Sequence, residues 1–212
     1  MEQSSVKILA ISDVPSELLW DESVRKRLEG IDLILSCGDL PKKYLEYLTN
    51  FTTVPILYVH GNHDGSYKGA EPGGCICVDD QVYVWKGLRI MGLGGSIRYN
   101  REETFQYTEQ EMRRRMRRLW FKAHRAGGID LLLTHSPAAG LNDGDDRAHK
   151  GFACFNDLLE EYQPKWFVHG HVHLSYNANL PRVCTHGQTT VINATERYTC
   201  LLYTSPSPRD RG

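Results

Sequence analysis

The 212-residue sequence has almost no net charge, no long apolar run and few cysteines. Its formal net charge of −1 creates no global field for nucleic acid or anionic lipid, so either partner would need a local basic patch. No stretch approaches the ~18 consecutive apolar residues of a membrane helix, and the N-terminal residues lack the basic start and long apolar stretch of a signal peptide. We expect a cytoplasmic protein without a membrane partner.

The six cysteines are too few for a disulfide scaffold, and no CxxC pair is present to suggest a zinc framework. Cys75 and Cys77 lie on the same side of one extended segment, too close for routine bridging. The sequence therefore predicts six reduced, structural thiols.

Apolar, β-branched runs bounded by turn residues alternate with helical patterns along the chain. The predicted strands are 6–11, 32–36, 54–59, 82–85, 88–93, 130–134, 166–168 and 189–192. The predicted helices lie near 21–29, 41–50, 108–125 and 152–162. Alternation of strand and helix at both ends, with strands clustered between, indicates two packed sheets with helices outside. An apolar content of 41% can fill the core of one such domain.

The helix near 108–125 begins with a capping box formed by Thr108 and Glu111. Its apolar residues recur on one face: Met112, Met116, Leu119, Trp120 and Ala123. Five arginines occupy the other side: Arg113, Arg114, Arg115, Arg117 and Arg118. They could contact the phosphates of a nucleic acid, but a solvated helix face is the preferred interpretation, so we do not expect a nucleic-acid partner.

The domain is predicted to span residues 1–200. The tail 201–212 ends in Ser-Pro-Ser-Pro-Arg-Asp-Arg-Gly. This composition is not expected to continue a strand or to bury a face, so the tail is predicted to be disordered. It also resembles translated adapter sequence, and a non-native tail is the alternative interpretation.

Short polar motifs follow five of the predicted strands: Asp13, Gly38-Asp39, Gly61-Asn62-His63-Asp64, His135 and Gly170-His171-Val172-His173. Strand ends form the ligand-binding edge of an α/β sheet. Taken singly, each motif is weak, because an aspartate after a strand is more often a turn or helix cap and a lone histidine is more often structural. Together, these carboxylate, amide and imidazole groups are the ligands that a pair of divalent cations needs. The sequence therefore predicts a metal-dependent phosphoester hydrolase.

The motifs resemble those of the calcineurin-like metallophosphoesterase superfamily, whose pattern is DxH, GD, GNHD or GNHE, H and GHxH, from residue 6 to about 195. The resemblance implies an α/β fold, a four-layer αββα sandwich of two mixed β-sheets flanked by helices. It implies two divalent ions, manganese, iron or zinc, bridged by Asp39. The other implied ligands are Asp13 and His173 for the first ion and Asn62, His135 and His171 for the second.

The resemblance also implies a mechanism in which a metal-activated hydroxide attacks the phosphorus in line. His63 would protonate the leaving oxygen, and Asp64 would orient its ring. One motif departs from the family, because Pro15 occupies the position of the histidine in DxH. Weaker occupancy of the first site is the direct expectation, and a water or a nearby side chain such as Glu17 could fill the gap.

A glycine-rich segment at 92–100 is a second candidate for substrate contact. Its backbone amides could approach an anion, and Arg98 and Asn100 are the candidate substrate-binding side chains, although a plain tight turn is the alternative. With 107–109 and 148–152, the segment resembles a bacterial subgroup related to class III cyclic-nucleotide phosphodiesterases. His149 is interpreted as a surface cap, with a place near the site as the alternative. The remaining histidines are assigned to structure or surface: His60, His124, His169 and His186.

Two functional hypotheses follow. The first is a metal-dependent phosphoesterase for a small phosphodiester or phosphomonoester, with nucleotides and cyclic nucleotides as candidate substrates. The sequence GDLPKKY differs from the GDxxDRG of the protein phosphatases in the superfamily and argues against that branch. The second hypothesis is a non-catalytic module that binds a nucleotide or a partner protein on a degenerate fold. The oligomeric state is not predicted.

Overall fold

A computed structural model describes residues 4–100, 104–175 and 180–204 of the chain. Its strands are β1 Ser4–Ser12, β2 Leu33–Ser36, β3 Ile56–Tyr58, β4 Ile76–Cys77, β5 Gln81–Trp85, β6 Leu88–Leu93, β7 Ser96–Ile97, β8 Gln106–Tyr107, β9 Leu131–Thr134, β10 Trp166–His169, β11 Val183–His186, β12 Thr189–Asn193 and β13 Glu196–Thr204. Its α-helices are α1 Val24–Arg27, α2 Lys42–Thr49, α3 Glu109–Arg125 and α4 Ala153–Tyr162. Short 3₁₀ helices cover Glu17–Leu19 and Asp64–Tyr67.

The strands form two mixed sheets and one short parallel pair, β7 with β8. The first sheet has the order β13-β1-β2-β3-β4, and the second has the order β11-β12-β10-β9-β6-β5. Strands β1 to β4 are parallel, with β13 antiparallel at the edge. In the second sheet β12, β10, β9 and β6 are parallel, while β11 and β5 are antiparallel edge strands.

The two sheets pack face to face over a shared apolar core. Ile8 and Leu35 of the first sheet cluster there with Ile90, Leu133 and Val168 of the second, and all five are at most 1% exposed. Every residue of β2 and β9 is buried, because helices cover the outer face of each sheet. This double burial explains the continuous apolar runs of these strands.

Helices complete the outer layers. On the first sheet, Ile34 and Ile56 pack against Tyr44, Leu45 and Leu48 of α2. On the second sheet, a separate cluster joins its outer face to α3 and α4: Met91, Leu132, Phe167, Met112, Leu119, Phe155 and Leu158. The molecule is a four-layer αββα sandwich, which confirms the predicted fold class.

Several local predictions can be compared directly with the structure. The capping box of Thr108 and Glu111 begins α3, and all six cysteines are free thiols. The expectation that residues 201–204 cannot continue a strand is wrong, since β13 pairs with β1 as far as Thr204 and Leu202 is 1% exposed. Residues 205–212 lie outside the described residues, and the domain boundary at 200 stays a prediction. Within the described ranges, no helix is long and apolar enough to cross a bilayer.

The interpretation of the α3 arginines as a solvated face is wrong for Arg115. This residue is 6% exposed, and its guanidinium bonds to Asp79 at 2.6 Å, to Asp80 at 2.8 Å and to the Gly94 carbonyl at 2.7 Å. It also stacks over the ring of Tyr107, 4.2 Å from the centroid. A buried guanidinium needs such partners because an unpaired charge is costly away from water. Trp120, which was predicted on the apolar face, is 47% exposed.

Replacing Arg115 by alanine would leave the buried Asp79 carboxylate without its cation. We expect a loss of about 3 kcal/mol in the free energy of unfolding, at the low end for breaking a buried ion pair, since His60 and the Gly94 amide still bond to Asp79. Urea denaturation measures this loss. The matched variant Arg114→Ala removes an exposed arginine of the same helix and should stay within about 0.5 kcal/mol of wild type. Equal losses of unfolding free energy in the two variants would contradict the assignment of Arg115 to a buried ion pair.

Candidate metal centre

The polar motifs lie where parallel strands end, at a common edge of the two sheets. Asp13 and His135 directly follow β1 and β9, and the other motifs begin within a few residues of β2, β3 and β10. Three of these residues, Asp13, Asp39 and His171, have positive φ values of 64°, 57° and 68°. Left-handed backbone at residues other than glycine is strained, and such strain clusters at functional sites. The sharp turns direct these side chains across the strand ends.

Asp39, His135 and His171 form the centre of the cluster. Their ligand atoms all lie within 4.8 Å of one another, and His135 Nε2 is 3.3 Å from Asp39 Oδ2. Asn62 joins them, because its Oδ1 lies 3.0 Å from His135 Nε2. Asn62 and His135 are fully buried and His171 is 6% exposed. One carboxylate, one amide oxygen and two imidazoles therefore face a common point.

Backbone carbonyls fix which nitrogen of each histidine faces that point. His135 Nδ1 lies 2.7 Å from the Cys37 carbonyl, and His171 Nε2 lies 2.7 Å from the Ala148 carbonyl. A carbonyl only accepts, so each of these nitrogens carries a proton, and the opposite ring nitrogens, His135 Nε2 and His171 Nδ1, are the ones left for the centre. Histidines that bind metals are commonly held in this way. The donor set therefore fits a divalent cation.

The residues expected at the first site lie beside this cluster. Both carboxylate oxygens of Asp13 accept the backbone N–H of His171 at 3.0 Å, and His173 Nε2 is 4.0 Å from Asp13 Oδ1. Pro15 is half-buried and has no donor atom in its side chain. Glu17 is exposed at the start of a 3₁₀ helix. This half of the centre has two carboxylates, Asp13 and Asp39, and one imidazole.

Burial and mutual charge set the electrostatics of the centre. Burial raises the pKa of Asp13, with repulsion from Asp39 adding to it against the pull of His135. Burial also acts to raise the pKa of Asp39, but attraction to His135 brings it down to about 2. For His135, burial lowers the pKa but Asp39 raises it to about 9. Burial and repulsion from His135 lower the pKa of His171 to about 3. The carboxylates thus favour positive charge at their centre, which a divalent cation supplies.

Asp64 connects the two motifs that hold the centre on the first sheet. It is 3% exposed, and its Oδ2 accepts the N–H of Asp39 at 2.9 Å and of Gly61 at 2.7 Å. Burial and repulsion from Asp39 raise the pKa of this carboxyl to about 6. His63 is exposed, and its backbone N–H donates to Asp39 Oδ1 at 2.8 Å. The catalytic roles expected of His63 and Asp64 stay predictions.

The loops carrying Asp39 and Asn62 approach so closely that only glycine fits between them. A Cβ on Gly61 would lie 2.0 Å from Asp39 Oδ1 and 2.5 Å from Asp39 N, and one on Gly38 would lie 2.2 Å from Gly61 N. Any larger residue at position 61 would therefore displace the Asp39 carboxylate. The glycines of the GD and GNHD motifs are thus a requirement of the centre's geometry.

The glycine-rich segment contributes a residue that the sequence did not single out. Arg98 pairs with Glu111 at 2.8 Å and with the Gln106 carbonyl at 3.0 Å, and Asn100 is exposed. Between them, the Tyr99 hydroxyl accepts the Nδ2–H of Asn62 at 3.1 Å. In an extended segment, successive side chains point to opposite faces. The sequence therefore offered one signal for Tyr99, since its side chain is expected on the face opposite to those of Arg98 and Asn100. The substrate-binding roles of Arg98 and Asn100 stay predictions.

The loop at 140–151 places His149 beside the centre. Its ring centroid is 5.3 Å from that of His171, and its Nδ1 is 2.7 Å from Asp146 Oδ2. Asp143 closes the loop by accepting the N–H groups of Gly140 and Gly151. The preferred interpretation of His149 as a surface cap is therefore wrong, and the alternative place near the site is the one observed.

The fold and the convergent side chains together define an α/β protein with a candidate metal centre. Residues 6–201 match the calcineurin-like phosphoesterase superfamily domain, and the chain belongs to this superfamily of metal-dependent phosphoesterases.

Three relatives illustrate the range of similarity. A UPF0046 protein of Caenorhabditis elegans is 28% identical over 222 residues, which cover 90% of this chain and 70% of that protein. Human metallophosphoesterase domain-containing protein 1 is 33% identical over 70 residues, which cover 32% of this chain and 20% of that protein. The crystal structure of TT1561 of Thermus thermophilus has a TM-score of 0.60 at 17% identity and covers 91% of this chain and 90% of that chain. This last similarity shows the fold alone.

The close approach at Gly61 predicts that Gly61→Ala weakens metal binding. The added methyl would displace the Asp39 carboxylate, and we expect the affinity for Mn²⁺ to fall at least about 10-fold, the lower end for disturbing groups that orient metal ligands. Isothermal titration calorimetry measures this affinity. Gly73→Ala is the control, because the nearest atom to a Cβ there is the end of the Glu46 side chain at 3.4 Å. Unchanged affinity in Gly61→Ala would show that the loops can separate without loss.

Proposed function

We propose that this protein hydrolyses a small phosphodiester or phosphomonoester, with nucleotides and cyclic nucleotides as the substrate class. The observation that carries the proposal is the convergence of the Asp39, His135 and His171 ligand atoms within 4.8 Å, with the Asn62 oxygen beside them. An oxygen and nitrogen donor set of this kind suits manganese, iron or zinc. The cytoplasmic location expected from the sequence stays a prediction.

The residues divide into two cation sites that share Asp39. Asn62, His135 and His171 would hold one cation, and Asp13 and His173 would hold the other. Two bound cations would lower the pKa of a water so that hydroxide is available to attack phosphorus, and they would screen the charge of the phosphoryl oxygens. The carbonyls that hold His135 Nδ1 and His171 Nε2 support this assignment, since both rings then present their other nitrogen for the centre.

Proton transfer to the leaving group would fall to His63. Its backbone N–H is tied to the Asp39 carboxylate, so the residue stays next to the centre while its exposed side chain can meet a substrate. Asp64 would support this role by holding the backbone of Asp39 and Gly61 together. Arg98 and Asn100 would contact the substrate from the glycine-rich segment, and release of Arg98 from Glu111 would have to accompany that contact.

The second candidate function is a non-catalytic module that binds a nucleotide or a partner protein. Pro15 favours it, because the first cation site lacks one imidazole of the family pattern. The donor set around Asp39, His135 and His171, with the Asn62 oxygen beside it, supports the enzyme instead, since it keeps the second cation site of the family pattern complete. Hydrolysis assays distinguish the phosphoesterase from the binding module.

A direct test is the hydrolysis of bis(p-nitrophenyl) phosphate in the presence of Mn²⁺. Wild type should turn over, Asp39→Asn should fall to background because it removes the shared carboxylate, and His63→Ala should lose about 10²–10⁴-fold, the usual contribution of an acid catalyst. His124→Ala, on the exposed face of α3, should match wild type. Absence of turnover in wild type with manganese, iron and zinc would favour the binding module.

Restoring the missing imidazole tests the assignment of the first site. In Pro15→His we expect the weaker of two Mn²⁺ equivalents to bind at least about 10-fold more tightly, since a direct ligand should contribute no less than the groups that orient one. Pro15→Ala controls for release of the backbone constraint and should leave the affinity near that of wild type. Elemental analysis and calorimetry give the number of ions and their affinities. If the weaker Mn²⁺ equivalent binds to Pro15→His with the same affinity as to wild type, Asp13 and His173 are removed from the proposed ligand set.

A further inference from the structure

We propose that Tyr99 is a positioning residue that holds the Asn62 side-chain amide with its oxygen toward the second cation site. This inference rests on the metal-dependent function proposed above. It concerns a residue outside the motifs of the family pattern, in a segment where the sequence pointed to the two neighbouring residues instead.

An asparagine ligand has an orientation problem that a carboxylate lacks. Its amide presents an oxygen, which can bind a cation, and an NH₂ group, which cannot, and rotation by half a turn exchanges them. Asn62 is fully buried, so the protein itself must decide between the two orientations. Oδ1 lies 3.0 Å from His135 Nε2, and Nδ2 donates to the Tyr99 hydroxyl at 3.1 Å. The hydroxyl accepts that hydrogen and so restrains the amide in the orientation seen, in which the contact with His135 Nε2 places the oxygen toward the centre.

The backbone around Tyr99 is fixed by residues of the neighbouring strand β8. The side-chain oxygen of Gln106 accepts the N–H of Tyr99 at 3.1 Å and of Asn100 at 2.9 Å, and Gln106 is 4% exposed. The N–H of Arg98 donates to the Tyr107 carbonyl at 3.0 Å, next to the β7–β8 pair. The hydroxyl therefore reaches Asn62 from a segment whose backbone is held in place, the arrangement that keeps ligands in productive orientations.

The test compares Tyr99→Phe with Tyr83→Phe, which removes the same hydroxyl from β5 at the edge of the second sheet. Calorimetry with Mn²⁺ should show about 10–100-fold weaker binding in Tyr99→Phe and wild-type affinity in Tyr83→Phe. The free energies of unfolding in EDTA check that both chains are folded. Wild-type affinity in Tyr99→Phe would overturn the inference.

A second arm asks whether orientation of the amide is the cause. Asn62→Asp replaces the amide with a carboxylate that presents oxygen in either orientation, so adding Tyr99→Phe to this variant should cost much less than it costs in wild type. An equal loss in both backgrounds would assign Tyr99 a different role.

The activity arm uses bis(p-nitrophenyl) phosphate. Turnover by Tyr99→Phe should be low at limiting Mn²⁺ and should recover at saturating Mn²⁺, whereas His63→Ala should not recover. A defect that persists at saturating metal would count against a positioning role. If wild type neither binds Mn²⁺ nor hydrolyses the ester, the proposed function fails and this inference fails with it. If wild type does both and Tyr99→Phe behaves identically, the inference alone fails.

Discussion

The attraction between the Asp39 carboxylate and the His135 imidazole joins the two sheets at the edge where the proposed ligands meet. Asp39 follows a strand of the first sheet and His135 a strand of the second, and their charged atoms are 3.3 Å apart. The side chain of His135 is fully buried and that of Asp39 is 10% exposed, so solvent screens their interaction weakly. Although burial lowers the pKa of His135, Asp39 raises it to about 9. A centre with this preference for positive charge is suited to cations.

Close backbone packing makes that arrangement possible. Glycines at 38 and 61 let two loops of the first sheet touch, and the Asp64 carboxylate ties them together through two N–H groups. On the second sheet, the Ala148 carbonyl holds His171. His135 and His171 are therefore oriented by backbone carbonyls, which do not depend on side-chain rotamers. Backbone supports of this kind leave no residue-type signature of their own in a sequence.

The sequence could predict the fold and the strand-end residues because each depends on local patterns. Buried strands such as β2 and β9 are continuous apolar runs, and the polar motifs stand immediately after them. Contacts between distant segments could not be predicted in this way. The pairing of Arg115 with Asp79 spans 36 positions, and that of Tyr99 with Asn62 spans 37. Strand β13 was not predicted, because its pairing with β1 is a contact between the two ends of the chain.

The two halves of the centre differ in how completely they are built, and this asymmetry bears on function. Around Asn62, His135 and His171, each side chain has a hydrogen-bonding partner that fixes its orientation. The Asp13 half has Pro15 where a ligand would complete the pattern. Left-handed backbone does not separate the two halves, because Asp13 shares it with Asp39 and His171. The hydrogen-bonded supports therefore distinguish the two halves: the half with Asn62, His135 and His171 is the more completely built, and the half with Asp13 is the one that Pro15 leaves a ligand short.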